Sequence, residues 1–218
     1  VTPKEYEITW DASAAQKGGF AHFMLKEIFE QPKAVADTLM ARLSDNKQIL
    51  LDEIHLTPAE IKSLEKIVVI ACGTAYHAGM IAKYAIEKWA KISVEVEIAS
   101  EYRYRDPIIT KNTLVIAISQ SGETMDTLMA LRHAKAAGAR VLAICNTNSS
   151  TIPRESDAVI YTHAGPEIAV ASTKALLTQI VAVYLIGLHL AQVRSELTDN
   201  EVADLYNEML ELPGKIEQ

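Results

Sequence analysis

Apolar positions change their period several times along this chain, and each change marks an expected element. Phe20, Phe23, Met24 and Ile28 recur at helical spacing, and Pro32 marks a break before a second helical stretch over residues 33–43. Residues 20–56 are therefore expected to form a helical arm. Upstream, residues 1–19 lack sustained periodicity and close on Gly18 and Gly19, which reads as a linker. From Thr57, which with Pro58 and Glu60 makes a helix start, the pattern becomes regular to the end of the chain.

Short β-branched runs at 67–71, 113–118 and 141–145 suit strands buried on both faces, and 158–161 is a further candidate. The segment 94–98, VEVEI, alternates and is expected nearer a sheet edge. Helical stretches at 76–90 and 126–137 separate these runs, the second stopped by Gly138. About five strands alternating with helices predict an α/β fold: a doubly wound, five-stranded parallel sheet flanked by helices, spanning 57–218. Two more helices are expected after Gly165. One runs from about Ser172 to Gln192, and the other starts at the capping-box pair Thr198 and Glu201 and stops near Pro213.

The apolar run 175–193 is long enough to suggest a membrane span, but Gln179 and His189 interrupt it and Lys174 abuts it. A helix buried in a core or subunit interface is expected instead, with no membrane partner. The chain has 218 residues, 49% of them apolar and 22% charged, which suits a folded globular domain. A net charge of −7 without any basic run excludes nucleic acid as the expected main partner. It also means that an anionic ligand would have to be held by local donors and helix ends. Cys72 and Cys145 show no CxxC spacing and favour a reducing, cytoplasmic setting. His77, His133, His163 and His189 lack metal-ligand spacing, so no metal is expected.

In open parallel sheets, ligands bind outside the carboxyl ends of the strands, which directs attention to three loops. ACGTAYHAG, residues 71–79, is not a dinucleotide fingerprint, because Ala75 stands where GxGxxG needs its second glycine. No GK pair follows either, so no nucleotide cofactor is expected. Gly73 allows close backbone approach and Thr74 places a hydroxyl at a helix start, although an ordinary turn and N-cap would use the same residues. SQSGET is more informative, since Ser119, Gln120, Ser121 and Thr124 gather neutral donors around Gly122 at a strand-to-helix junction. Such a cluster suits a phosphate placed against the amides of a helix start, with Glu123 pointing away or supporting the first turn. Ser119 and Ser121 lack the GxSxG context of a hydrolase nucleophile. In the third loop, PEIAVASTK, Ser172 or Thr173 is expected to cap the following helix, and Glu167 and Lys174 are expected as solvated charges or a surface ion pair.

Taken in order, ACGT, EIASEYRYR, SQSGETMDT and AVASTKA resemble the glucosamine-6-phosphate synthase family, in the first of its two sugar isomerase (SIS) domains. KGGFAHFMLKEIFEQP resembles the arm that joins the family's glutaminase domain to its isomerase half. The resemblance implies a five-stranded parallel sheet and a sugar-phosphate ligand, fructose 6-phosphate or glucosamine 6-phosphate. It further implies that Ser119, Gln120, Ser121, Gly122 and Thr124 hold the phosphate and that Cys72, Gly73, Thr74 and Ala75 assist. Val170, Ala171 and Ser172 would contact the sugar. Ala75 departs from the serine common in the family and removes one hydroxyl. By the same resemblance, the residues that perform glutamine hydrolysis and isomerisation lie in a glutaminase domain and a second SIS domain, so this chain carries no catalytic residue. It is expected to form a homodimer and to serve amino-sugar biosynthesis. SIS domains also act as phosphosugar sensors fused to output domains, and such a regulatory module is the alternative.

Overall fold

The computed structural model describes residues 15–218, so most of the expected linker lies outside the described residues. Five parallel strands form one sheet: β1 (Lys66–Ala71), β2 (Ser93–Ile98), β3 (Thr113–Ser119), β4 (Arg140–Cys145) and β5 (Ala158–Tyr161), in the order β2-β1-β3-β4-β5. Every expected strand is present. The three central strands are almost wholly buried because helices cover both faces, which explains their continuous β-branched sequences. Alternate residues divide between two cores: Ile67, Val69, Ile116 and Ile144 face one layer, while Val68, Ile70, Val115 and Val141 face the other. β2 is an edge strand. Its Glu95 and Glu97 are paired with Lys66 and Arg105 at 3.0 and 2.8 Å, and charges of this kind discourage edge pairing.

The first core is covered by α4 (Thr74–Ala90) and α8 (Lys174–Val193), with α2 (Gln31–Leu39), α3 (Pro58–Ser63) and α9 (Asp199–Leu210) around them. The second core lies under α5 (Ala99–Tyr102), α6 (Met125–Ala136) and α7 (Thr151–Glu155). α8 is long and apolar enough to cross a membrane, yet 61% of its most apolar window is buried inside this domain, packed mainly on α4. Gly187 makes that packing close, since a Cβ there would lie 3.1 Å from the Trp89 ring.

Prolines depart from the expected boundaries. Pro32 and Pro213 were expected as stops, but each lies in the first turn of the next helix, α2 and α10 (Leu212–Ile216). The first-turn N–H groups have no intrahelical acceptor, so a proline loses nothing there. The helix expected over 33–43 instead ends at Leu39, where Met40 turns extended and Ala41 takes φ +57°. Both expected capping boxes form. Thr57 and Glu60 bond reciprocally, as do Thr198 and Glu201.

The arm is where periodicity misleads. α1 (Phe23–Phe29) is a helix, but Met24, Leu25, Ile28 and Phe29 are 41 to 67% exposed, whereas Lys26 and Glu27 are buried. Its inner face is therefore polar.

Candidate functional site

Strand order reverses direction between β1 and β3: from β1 the chain moves outward to β2, and from β3 it moves the other way to β4 and β5. Such a switch point opens a crevice at the carboxyl ends of the two strands. Ala71 and Ile118 are register partners there, so the loops 72–75 and 119–124 emerge side by side. The structure thus brings together two of the three expected loops.

In 119–124, the Ser119 hydroxyl is buried at the end of β3, 3.1 Å from the Thr124 hydroxyl, and accepts the Gly122 N–H at 3.1 Å. Ser121 accepts the Glu123 N–H at 3.2 Å. Thr124 is the N-cap residue of α6, yet its hydroxyl does not cap. It turns back to Ser119 instead, so no side chain occupies the start of this three-turn helix. Three hydroxyls thus cluster within six residues at the start of α6, where the first-turn Asp126 is paired with Arg103 at 3.1 Å and Glu123 is bonded elsewhere. That arrangement can bind an anion through dipoles alone.

Two features hold the loop in this shape. Gly122 has φ +67°, and a Cβ there would lie 1.9 Å from the Ser150 Oγ and 2.8 Å from the Cys145 Sγ. Only glycine fits. Glu123 points away, as expected: its carboxylate accepts the Thr151 N–H at 2.7 Å and the Thr151 hydroxyl at 3.1 Å, and these bonds hold its pKa below the usual carboxylate value. Burial raises the Cys145 pKa, which leaves it a packing thiol beneath the loop.

The first loop is less polar. Gly73 is the N-cap of α4 at φ +60° with no Cβ contact within 4 Å, so its neighbourhood is open to a ligand. Thr74 is the first helical residue and exposed, and it does not cap the helix. Cys72 is partly buried, and Ala75 packs into the core at 7% exposure. Ala75 can therefore offer only backbone to a ligand.

The third loop begins two strands away, after β5, and reaches the site through Asn146. The Asn146 N–H donates to the Gln120 carbonyl at 3.1 Å, while its side chain donates to Gly165 O at 2.7 Å and accepts the Ala164 N–H at 2.8 Å. The segment 165–173 joins β5 to α8, and Asn146 ties its start to the 119–124 loop. Val170 and Ala171 are exposed, and the buried Ser172 hydroxyl has no protein partner. Three expectations fail in this loop. Neither Ser172 nor Thr173 caps α8. The Glu167 carboxylate does so, accepting the Thr173 and Ala175 N–H groups at 2.9 and 3.2 Å. Lys174 is not a surface charge either: it is 2% exposed and paired with Glu30 at 2.6 Å.

Sequence reasoning passed over Asn146, Glu27 and Glu30. For Asn146 the available signal was a lone amide directly after an apolar strand. Among the described residues no group of three His, Cys, Asp or Glu side chains could hold a metal. A depression of about 560 Å3 lies elsewhere, lined by Asp37, Met40, Ala41, Arg42 and His163. Its Arg42 is committed to Glu53 and the backbone of Leu50.

Fold and site together define an α/β domain with a hydroxyl-lined crevice at the switch point of a parallel sheet. The chain belongs to the SIS domain family, whose model matches residues 60–188. It is similar to glutamine--fructose-6-phosphate aminotransferase [isomerizing] of Streptomyces coelicolor, 63% identical over 215 residues, which are 99% of this chain and 35% of the relative. The corresponding Corynebacterium glutamicum protein is 58% identical over 99% of this chain and 34% of its own length. The chain thus spans about a third of the length of these curated relatives. Among solved structures, the C-terminal domain of glucosamine-fructose-6-phosphate aminotransferase from Francisella tularensis superposes with a TM-score of 0.85 at 46% identity, over 91% of this chain and 55% of that one. Glucosamine-6-phosphate deaminase from Thermotoga maritima shares the fold at 18% identity, with a TM-score of 0.64 over 87% of this chain and 54% of that one.

Proposed function

We propose that this chain is the first SIS domain of a glutamine:fructose-6-phosphate aminotransferase and binds the phosphate end of fructose 6-phosphate or glucosamine 6-phosphate. The observation that carries the reading is the hydroxyl cluster of Ser119, Ser121 and Thr124 at the uncapped start of α6. Gln120 supplies an amide beside it, and Cys72, Gly73, Thr74 and Ala75 line the neighbouring loop with mainly backbone groups. Val170, Ala171 and Ser172 contact the sugar, the last through its unpartnered hydroxyl.

In this reading the domain anchors one end of an open-chain sugar. Ring opening and proton transfer between adjacent carbons need acid and base groups, and the crevice loops supply neutral donors. A second SIS domain provides the catalytic groups, and a glutaminase domain provides ammonia. Residues 1–19 serve as the linker from that glutaminase domain, 20–56 as the arm, and 57–218 as the SIS domain. The whole enzyme works in the cytoplasm, in amino-sugar biosynthesis toward UDP-N-acetylglucosamine. Two free thiols, Cys72 and Cys145, suit that compartment. The exposed apolar residues of α1 supply a surface suited to a homodimer.

Titration calorimetry with fructose 6-phosphate tests the binding role. The chain is expected to bind without turnover, and Ser119→Ala is expected to weaken binding by about tenfold, the cost of one hydrogen bond to a charged group. Absence of heat at millimolar ligand would refute the reading.

A further inference from the structure

Glu27, on the inner face of α1, and Glu30, the residue that caps its end, lie about one turn apart, and both bond to the third loop. The Glu27 carboxylate, 2% exposed, accepts the Ile168 N–H at 2.6 Å through Oε1 and the Ala169 N–H at 3.1 and 3.2 Å through its two oxygens. Glu30 pairs with the buried Lys174 at 2.6 Å and with Lys26 at 3.3 Å. With Glu167 capping α8 from within the loop, carboxylates hold both halves of the segment that carries Val170, Ala171 and Ser172.

Burying a carboxylate is costly unless charge-assisted donors satisfy it. Glu27 obtains those donors from successive backbone amides of an otherwise exposed loop, and α1 presents this carboxylate inward at the expense of its apolar side chains. The bonds to Ile168 and Ala169 thus account for the inward carboxylate of α1.

We propose that Glu27 is a positioning residue: through the amides of Ile168 and Ala169 it fixes the 170–172 segment over the crevice, so the arm sets affinity for the sugar and not for the phosphate. This rests on the reading that the 170–172 segment meets the sugar while 119–124 meets the phosphate. Glu27 is too deeply placed beneath the loop to be a ligand itself.

The test compares affinities for fructose 6-phosphate and inorganic phosphate in the 218-residue chain and in Glu27→Ala and Glu27→Gln. Glu27→Ala is expected to weaken fructose 6-phosphate by about tenfold, the scale of one hydrogen bond to a charged group, while leaving inorganic phosphate unchanged. Glu27→Gln keeps an acceptor oxygen for both amides and is expected to restore most of the loss. An unchanged preference in Glu27→Ala overturns the proposal. A parent chain that binds inorganic phosphate as tightly as fructose 6-phosphate overturns the underlying sugar-loop reading instead. If Glu27→Ala fails to fold, amide exchange in the parent chain decides. Ile168 and Ala169 are expected to be protected relative to Val170 and Ala171, and exchange at the rate of free peptide refutes the proposal.

Discussion

Gly73 and Gly122 share nearly the same backbone angle, φ +60° and +67°, in adjacent crevice loops, but their surroundings differ completely. Replacing either with alanine puts an L-residue at positive φ, and Gly73, at ψ −137°, lies in backbone space that only glycine readily adopts, so strain of about 1 to 3 kcal/mol is expected at each. At Gly73 nothing lies within 4 Å of the new Cβ, so strain is the whole cost. At Gly122 the methyl would meet the Ser150 Oγ at 1.9 Å, the Ser150 Cβ at 2.8 Å and the Cys145 Sγ at 2.8 Å. Ser150 cannot simply turn aside, because its hydroxyl donates to the Thr147 carbonyl at 2.8 Å and Cys145 is fully buried. Overpacking and a displaced hydrogen bond raise the cost of Gly122→Ala to about 3 to 5 kcal/mol. Urea unfolding measures it, with an expected drop in midpoint of about 1 to 2 M. Adding Ser150→Gly removes the two nearest contacts, so a double-mutant cycle is expected to return a coupling of about 1 to 2 kcal/mol. If Gly122→Ala costs no more than Gly73→Ala, or if the cycle shows no coupling, the account of this loop as locked by a missing Cβ is wrong.

Two further outcomes follow from burial. Desolvation lowers the His189 pKa below its ordinary 6.5, against the opposing bond to Ile49 O at 3.3 Å. As pH falls through the unfolded-state value, the unfolded chain takes up the proton first, so stability is expected to decline below about pH 6.5 and level off beneath the lower folded value. Urea unfolding at pH 7.5 and 5.5 checks this, and His189→Gln is expected to flatten the slope. The cysteines give a second measurement: a thiol reagent is expected to label the partly exposed Cys72 in the native chain and Cys145 only on unfolding, since burial both shields Cys145 and raises its pKa. Equal labelling of both in the native state would contradict the packing beneath Gly122.

Strands and capping boxes were legible because each is written locally. A β-branched run such as IVVIA has few alternatives once helical patterns flank it, and Thr57 and Glu60 lie within one turn of each other. The SQSGET loop was legible for the same reason, with its hydroxyls and glycine contiguous in sequence. What could not be read was written across the chain. Glu27 lies about 140 positions from the amides it binds, and Lys174 a similar distance from Glu30. Alone, MLKEIFE looks like a helix that buries its methionine and isoleucine. Only the folded chain supplies the loop amides that make burying the glutamate favourable.

An acidic chain that binds a phosphosugar, as proposed, has to hold an anion against its own charge. With a net charge of −7, attraction cannot come from the overall field, and the crevice assembles neutral donors around an open helix start instead. Acidic side chains nonetheless surround it, and each faces backbone N–H groups or a paired cation. Glu123 caps the segment at Thr151, Glu167 caps α8, and Glu27 binds the loop at Ile168 and Ala169. Each of these carboxylates is satisfied by backbone amides. Their repulsion toward a phosphate is thereby reduced, and the same bonds hold the loops in position. On the proposed function, negative charge is thus part of the scaffold, and the neutral hydroxyls of Ser119, Ser121 and Thr124 remain for the phosphate.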